Sequence, residues 1–308
     1  MKYINIANTD LKVSNMIMGN MRLTQLSLPE AEKLIRTAME EEINFFDHAD
    51  IYGEGQCEEI FSDAIQMNSK IREKMILQSK CGIRAGEGYF DFSKEHILKS
   101  VDGILKRLKT DYLDILLLHR PDPLMEPEEV AEAFEELYTS GKVKYFGVSN
   151  HNPAQIALLQ KYIPYKLIVN QVQLSVAHTP IIDSGIALNM KIDQSVNRDS
   201  SVLEYCRLND ITMQAWSPFQ HGFFDGVFFG DQERFPELNK TIDLIAKKYG
   251  VTNTAIAVAW ITRHPANIQV VLGTTNPQRL SDACQGSELK LTREEWYQIY
   301  KAAGNIVP

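Results

Sequence analysis

An α/β fold is what this sequence predicts, in the form of one parallel (β/α)8 barrel over residues 1–308, and three observations lead there. Short apolar runs alternate eight times with longer stretches of helical spacing, the pattern of βα units and a parallel sheet. Each run ends in a polar or glycine-marked turn. The length of 308 residues suits one barrel, since such folds take about 250 residues and often more, and no linker rich in Pro, Gly or Ser divides the chain.

The predicted strands are Ser14–Met18, Ile43–Phe46, Met75–Gln78, Asp114–Leu118, Lys144–Val148, Leu167–Val169, Ile211–Gln214 and Gln269–Leu272. Several are apolar at every position, as parallel strands buried on both faces tend to be. Before them, Lys2–Val13, with Asn8-Thr9-Asp10 at its middle, reads as an N-terminal β-hairpin that plugs one end of the barrel. Between them, Pro29 opens a helix over Glu30–Glu41, Ser93 precedes an amphipathic Glu95–Leu108, and Pro127 opens Glu128–Ser140, ended by Gly141. Asn276 and Pro277 form an N-cap and first-turn pair for Gln278–Gln285, and an extra C-terminal helix near Thr292–Ala303 lies outside the repeat. Two connections are long, Ser175–Asn197 and Ser217–Glu233; loops of that size usually shape a pocket or carry short helices.

Composition narrows the function. Apolar residues make up 44% and charged residues 23%, which describes a globule able to bury a large core. Asp and Glu outnumber Lys and Arg by 40 to 32, and no basic cluster offers a grip to a nucleic acid backbone. Cys57, Cys81, Cys206 and Cys284 lie far apart with no C-x2-C pair, so neither a zinc site nor a disulfide framework is expected. The opening MKYINIANTD lacks the apolar core of a signal peptide, and no run reaches the ~18 apolar residues of a spanning helix. A cytoplasmic protein with no membrane or nucleic-acid partner is expected; the oligomeric state stays open, and a monomer is compatible with everything in the sequence.

A barrel of this type builds its site at the C-terminal strand ends. There the first run leads into Gly19-Asn20-Met21-Arg22, the second into Asp47 with Tyr52 five residues on, the third into Lys80 and the fourth into His119. Ser149-Asn150, Asn170-Gln171, Trp216-Ser217 and Gly273-Thr274 end the other four. Singly, such residues cap turns or satisfy buried backbone; an acid, a phenol, a lysine and an imidazole converging on one mouth have no shared structural reason to be there.

These residues carry a resemblance. Phe46-Asp47-His48-Ala49-Asp50-Ile51-Tyr52-Gly53, Ser79-Lys80, Leu118-His119-Arg120-Pro121, Gly147-Val148-Ser149-Asn150, Asn170-Gln171-Val172-Gln173 and Trp216-Ser217-Pro218 resemble, in order and over nearly the whole chain, the signatures of the aldo-keto reductase family, and most nearly its branch of bacterial predicted oxidoreductases. The resemblance implies a (β/α)8 (TIM) barrel that binds NADP(H) in extended form without a Rossmann domain. The sequence agrees on that point, since Gly53-x-Gly55 and Gly86-x-Gly88 lack the third glycine and the strand-to-helix setting of a dinucleotide fingerprint.

The implied reaction reduces an aldehyde or ketone to an alcohol. The cofactor supplies hydride, and Tyr52 supplies the proton. A free phenol has a pKa of about 10, so a neighbouring cation, Lys80, is expected to stabilise its phenolate, with Asp47 holding Lys80 and His119 orienting the carbonyl oxygen. By the same resemblance Trp216 stacks on the nicotinamide, Ser149, Asn150 and Gln171 bind its carboxamide, and Gly19, Asn20, Met21, Arg22, Ser217, Gly273 and Thr274 border the cofactor. A helix N-terminus near Thr274 to Arg279 receives the phosphate end, with Arg279 forking to a 2′-phosphate. Three positions depart from the family pattern: Gly273 stands where many members have lysine, Ala283 where they have asparagine, Trp216 where they have tyrosine. The missing lysine narrows the expected preference for NADPH over NADH. Met21, Tyr89, Phe90, Phe219, Phe223, Phe224, Phe228 and Phe229 are expected either to wall an apolar or aromatic substrate or simply to cover the rim.

Rival readings are a cofactor-binding sensor or regulatory subunit with little turnover, and a Schiff-base enzyme using Lys80. A metal site from Asp47, His48 and Asp50 is disfavoured because adjacent residues on a strand face opposite ways.

Overall fold

The computed structural model describes residues 1–308. The opening hairpin is β1 (Tyr3–Asn5) paired antiparallel with β2 (Lys12–Ser14). The chain then lays down β3 (Met16–Gly19), β4 (Phe45–Asp47) and β5 (Ile76–Cys81), makes a small antiparallel pair β6 (Ile83–Arg84) and β7 (Tyr89–Phe90), and continues with β8 (Leu113–Leu118), β9 (Val143–Ser149), β10 (Leu167–Gln173), β11 (Thr212–Trp216) and β12 (Gln269–Leu272). Strands β3, β4, β5, β8, β9, β10, β11 and β12 hydrogen-bond in that order, all parallel, and β12 closes onto β3. All eight expected strands are present, and the closed barrel is the expected fold.

Strand limits differ from the expected ones for identifiable reasons. Ser14 belongs to the hairpin, where it pairs with Tyr3, so the first barrel strand begins at Met16. At the other end β5, β9, β10 and β11 run past the apolar stretch into Lys80-Cys81, Ser149, Asn170–Gln173 and Trp216. Their inward polar side chains find partners inside the barrel, so the backbone ladder continues where apolar patterning alone predicts its end.

Alternation along each strand sorts the core into two layers. Ile17, Phe45, Ile115, Leu117, Val169 and Val271 point into the barrel and form one buried cluster with Ile6 and Val13 of the hairpin. The hairpin thus seals the N-terminal end: Ala7 N donates to Thr212 Oγ1 at 2.8 Å and the Gln269 amide donates to Ser14 O at 2.8 Å. A larger cluster of 67 buried residues fills the space between barrel and surrounding helices. Gly147 is required where β8, β9 and β10 crowd together, since a Cβ there would lie 2.8 Å from the Val169 carbonyl oxygen and 2.7 Å from Leu117 Cδ2.

The helices Leu28–Glu40, Lys94–Leu108, Pro127–Thr139, Pro277–Cys284 and Arg293–Ala302 match the expected ones. Ser27, Asn152 and Thr292 form capping boxes. The extra C-terminal helix is fixed by Trp296, stacked on Trp260 with ring centroids 4.7 Å apart. Of the long connections, 175–197 carries a short helix, Pro180–Ile186, whereas 217–233 has no helix and folds over the barrel mouth. All four cysteines are buried free thiols. No helix is long and apolar enough to cross a membrane.

Candidate active site

The barrel interior becomes polar toward its C-terminal end. In β4, Phe45 and Asp47 both face inward; in β5, Gln78 and Lys80 do the same while Ser79 faces outward to Glu58. Gln171 on β10, Gln214 on β11 and Gln269 on β12 complete the layer. Asp47 Oδ1 accepts from Gln78 Nε2 at 2.7 Å, from Gln171 Nε2 at 3.1 Å and from Lys80 Nζ at 2.7 Å, and Asp47 Oδ2 accepts from Lys80 at 2.6 Å. Gln214 bridges Gln78, Gln171 and Gln269 at 2.8–3.3 Å, and Gln269 ends the chain on the hairpin backbone. A continuous ladder of amides therefore joins the Asp47 carboxylate to the sealed floor of the barrel. An ionised carboxylate held by this many N–H donors is fixed in orientation and compensated for burial.

Lys80 is fully buried and its ammonium is saturated: besides Asp47 it donates to His48 O at 2.9 Å and to the Tyr52 hydroxyl at 3.2 Å. Tyr52 sits just after β4 on a tight turn, Tyr52–Gly55, in which Gly53, Glu54 and Gly55 take φ of 56°, 56° and 90°. Only this left-handed backbone lets the chain fold back at once into the helix Gln56–Ala64, and it pins the tyrosine ring over Lys80. The rings of Tyr52 and His119 meet edge to face, centroids 6.0 Å apart. Asp47, Tyr52, Lys80 and His119 are thus brought together, with Lys80 behind the other three.

Burial sets the ionisation of this group. It pushes the Tyr52 phenol up; Lys80 pulls down against it, and Asp47 adds to the rise, leaving the phenol above its ordinary value. Lys80 thus acts on Tyr52 in the expected direction, opposing without overcoming the loss of hydration. Lys80 is drawn down by burial but raised overall by Asp47 and Tyr52, so it stays an ammonium. His119 is held well below the usual imidazole range by burial and by the charges of Lys80 and Arg120, and is neutral. Its Nδ1 is buried without a partner. A proton there would be an orphaned donor, which places the hydrogen on Nε2.

Above these residues opens a cavity of about 760 Å³, of the size that small ligands occupy. Gly19, Met21, Arg22, Ser149, Asn150 and Gln171 line it, as do Trp216, Ser217, Gly273, Thr274 and Arg279. Asn20 does not. Its side chain is fully buried and donates to Met18 O, Asp47 O and His48 Nε2 at 3.2–3.3 Å, so it shapes the strand end rather than the cavity wall. Asn150 Nδ2 donates to Ser149 Oγ at 2.8 Å, Ser149 Oγ to Gln171 O at 2.9 Å, and Trp216 Nε1 to Asn150 Oδ1 at 3.0 Å. This chain fixes the indole plane. Because Gln171 Nε2 is engaged by Asp47 and Gln214, only its Oε1 remains to meet a ligand.

The aromatic wall is narrower than expected. Phe219, Phe223, Phe224 and Phe229 border the cavity, whereas Phe228 is core and Tyr89 and Phe90 form the exposed strand β7 away from it. Three contributors escaped the sequence reading. Thr252-Asn253-Thr254 brings a second helix N-terminus to the wall, and the Thr252 N-cap before an apolar helical run was its signal. Arg120 lines the wall beside His119, within a quoted motif but with no assigned role. The glutamine ladder had only its period-two spacing to announce it.

Comparisons with known proteins agree with this picture. The model of the Aldo/keto reductase family matches residues 15–303. Uncharacterized oxidoreductase YcsN of Bacillus subtilis is 36% identical over 95% of each chain, and oxidoreductase YdhF of Escherichia coli K12 is 36% identical over 99% of each. A protein of Agrobacterium fabrum named 6-dehydroglucose reductase is 33% identical over 95% of each chain. The solved structure of a thermostable aldo-keto reductase, Tm1743, in complex with the inhibitor epalrestat, superposes with a TM-score of 0.76 at 24% identity, covering 98% of this chain and all of that one, and shows the shared fold. Matched over nearly its whole length by the family and by oxidoreductases of the same size, this chain belongs to the aldo/keto reductase family.

Proposed function

We propose that the protein reduces aldehydes or ketones to alcohols with NADP(H), Tyr52 donating the proton. The observation that carries this reading is the Tyr52 hydroxyl, 3.2 Å from the Lys80 ammonium on the cavity wall beside a neutral His119. The residues present suit a dinucleotide: the Arg279 guanidinium makes no hydrogen bond or ion pair in the chain, Arg22 uses one nitrogen on Gly273 O at 2.7 Å, and two helix N-termini, at Thr252-Asn253 and Asn276-Pro277, stand at that side. Trp216, held by Asn150, offers a fixed ring face for stacking. Ser149, Asn150 and Gln171 are the carboxamide partners in this reading, Gln171 through its Oε1.

When bound, the dinucleotide supplies the hydride. The remaining work belongs to the chain. His119 Nε2 donates a hydrogen bond to the substrate carbonyl oxygen and sets its direction. Tyr52, kept protonated by burial, passes its hydroxyl proton to that oxygen as negative charge develops there. Lys80 stabilises the phenolate left behind, and Asp47, braced by Gln78 and Gln171, holds Lys80 in place. Closure of the 217–233 loop residues over the mouth limits water access to the reacting atoms.

The Schiff-base alternative is disfavoured by the saturated, protonated Lys80. The relative named 6-dehydroglucose reductase supports carbonyl reduction as the chemistry. Four unpaired cysteines suit a reducing, cytoplasmic setting. Following NADPH absorbance across a panel of aldehydes and ketones tests the reading. Turnover is expected; NADPH binding without oxidation by any compound favours the sensor alternative.

A further inference from the structure

Arg120 is the one charged residue of the cavity wall on its side of the mouth that nothing in the proposed chemistry uses. It follows β8, whereas Gly273, Thr274 and Arg279 follow β12 and Arg22 follows β3. In the barrel order β8 stands four strands from β12, which puts Arg120 across the mouth from the arginines suited to the phosphate end. Its guanidinium carbon lies 5.7 Å from the ring centroids of both Trp216 and Phe223. Its side chain makes no ion pair or hydrogen bond within the chain, whereas the charged groups among the reacting residues, Asp47 and Lys80, are paired with each other. Asp47, the sole carboxylate of the wall, is already paired with Lys80.

Five N–H donors in a half-buried, ring-flanked position call for an oxygen acceptor that the rings do not provide. The guanidinium fork matches a carboxylate, which takes two parallel hydrogen bonds from it. The position is also next to His119 and close enough to Tyr52 for the two to sense each other's charge. A ligand held here has its other end at the reacting group. Resting on the reductase reading, we infer that Arg120 selects carbonyl substrates that carry a carboxylate, binding it opposite the cofactor side while the carbonyl oxygen meets Tyr52 and His119. The aromatic wall of Phe219, Phe223 and Phe224 then holds the apolar body between the two polar ends.

The test compares 4-carboxybenzaldehyde with its neutral isostere 4-carbamoylbenzaldehyde in the wild type, Arg120→Gln and Arg120→Lys. The wild type should favour the carboxylate in kcat/KM, and Arg120→Gln should reduce the charged-to-neutral ratio by about 10- to 100-fold, the span that charged hydrogen bonds give. Arg120→Lys should restore part of it. An unchanged ratio in Arg120→Gln overturns the assignment while leaving the reductase intact. If the wild type turns over neither aldehyde, the wider carbonyl panel judges the reductase reading, and calorimetric binding of benzoate against benzamide judges Arg120. Benzoate bound at least ~10-fold more weakly by Arg120→Gln, with benzamide unaffected, supports the site; equal benzoate binding by both proteins overturns it.

Discussion

The Lys80 ammonium lies 3.2 Å from the Tyr52 hydroxyl, although Lys80 stands on β5 and Tyr52 on the turn after β4, 28 positions apart in sequence. The same ammonium neutralises Asp47 at 2.6 Å, both groups almost fully buried at the floor of the cavity. Lys80→Met therefore removes a catalytic partner and leaves a buried carboxylate unpaired. The variant is expected to lose at least ~100-fold in kcat and about 3–5 kcal/mol in stability. Urea unfolding beside the NADPH assay measures both. Loss of activity at full stability would mean that Asp47 is held by the glutamines alone.

Gln78 braces Asp47 without reaching the cavity wall, so its effect travels through Asp47 and Lys80. Gln78→Leu removes an N–H from the carboxylate and one from Gln214, and should destabilise the protein by about 1–3 kcal/mol. Steady-state kinetics should show kcat lowered by about 10-fold, on the order of one lost hydrogen bond to a charge, with KM for NADPH unchanged. An equal rise in KM for NADPH would place the effect in cofactor binding instead.

The Arg279 guanidinium makes no hydrogen bond or ion pair in the chain, and the residue stands at the first turn of the helix Pro277–Cys284, its backbone N–H held by Asn276. Arg279→Ala should weaken NADPH by about 10-fold or more and NADH much less, since only the former carries a 2′-phosphate. Fluorescence titration with each nucleotide checks this. Equal losses would show that the extra phosphate is read elsewhere, with Arg22 as the next residue to replace.

Stability should vary with pH through two buried groups beside the site. Burial, with Glu58 nearby, pushes the Asp50 carboxyl up to about 7. A group whose folded pKa is raised contributes fully below its unfolded value, about 4, and loses that contribution as pH rises through about 7. His48 runs the other way: burial, then Lys80, takes it down to about 3, so its contribution is complete above about 6.5 and fades as pH falls toward 3. Asp50→Asn should thus gain about 1–2 kcal/mol on the wild type between pH 5.5 and 8.5, seen as a growing difference in urea midpoints. A difference independent of pH would show that Asp50 does not titrate in this range.

The eight strands were legible because each is an apolar run with punctuation at its C-terminal end, and the reacting residues stand at that punctuation. Asp47, Tyr52, Lys80 and His119 could be named from their order after successive strands. Less legible was anything decided by side-chain direction beyond the apolar pattern. Asn20 reads as a mouth residue, yet its amide turns behind the strand to the Asp47 carbonyl and His48. Gln78, Gln214 and Gln269 read as the polar margins of apolar strands, and only closure of the barrel brings residues 136 positions apart into contact. The upward shift of Tyr52 was out of reach for a related reason, since it depends on the degree of burial as well as on the lysine beside it.

The account turns on the Tyr52 hydroxyl as the proton source, and Tyr52→Phe tests it most directly, because one oxygen is removed and the ring is kept. Measured with an aldehyde that the wild type reduces, kcat should fall by ~100-fold or more, while NADPH affinity, read by fluorescence quenching, stays within about 2-fold because no binding role is assigned to this hydroxyl. Turnover near the wild-type rate would contradict the account and move the proton donor to another group at the cavity floor.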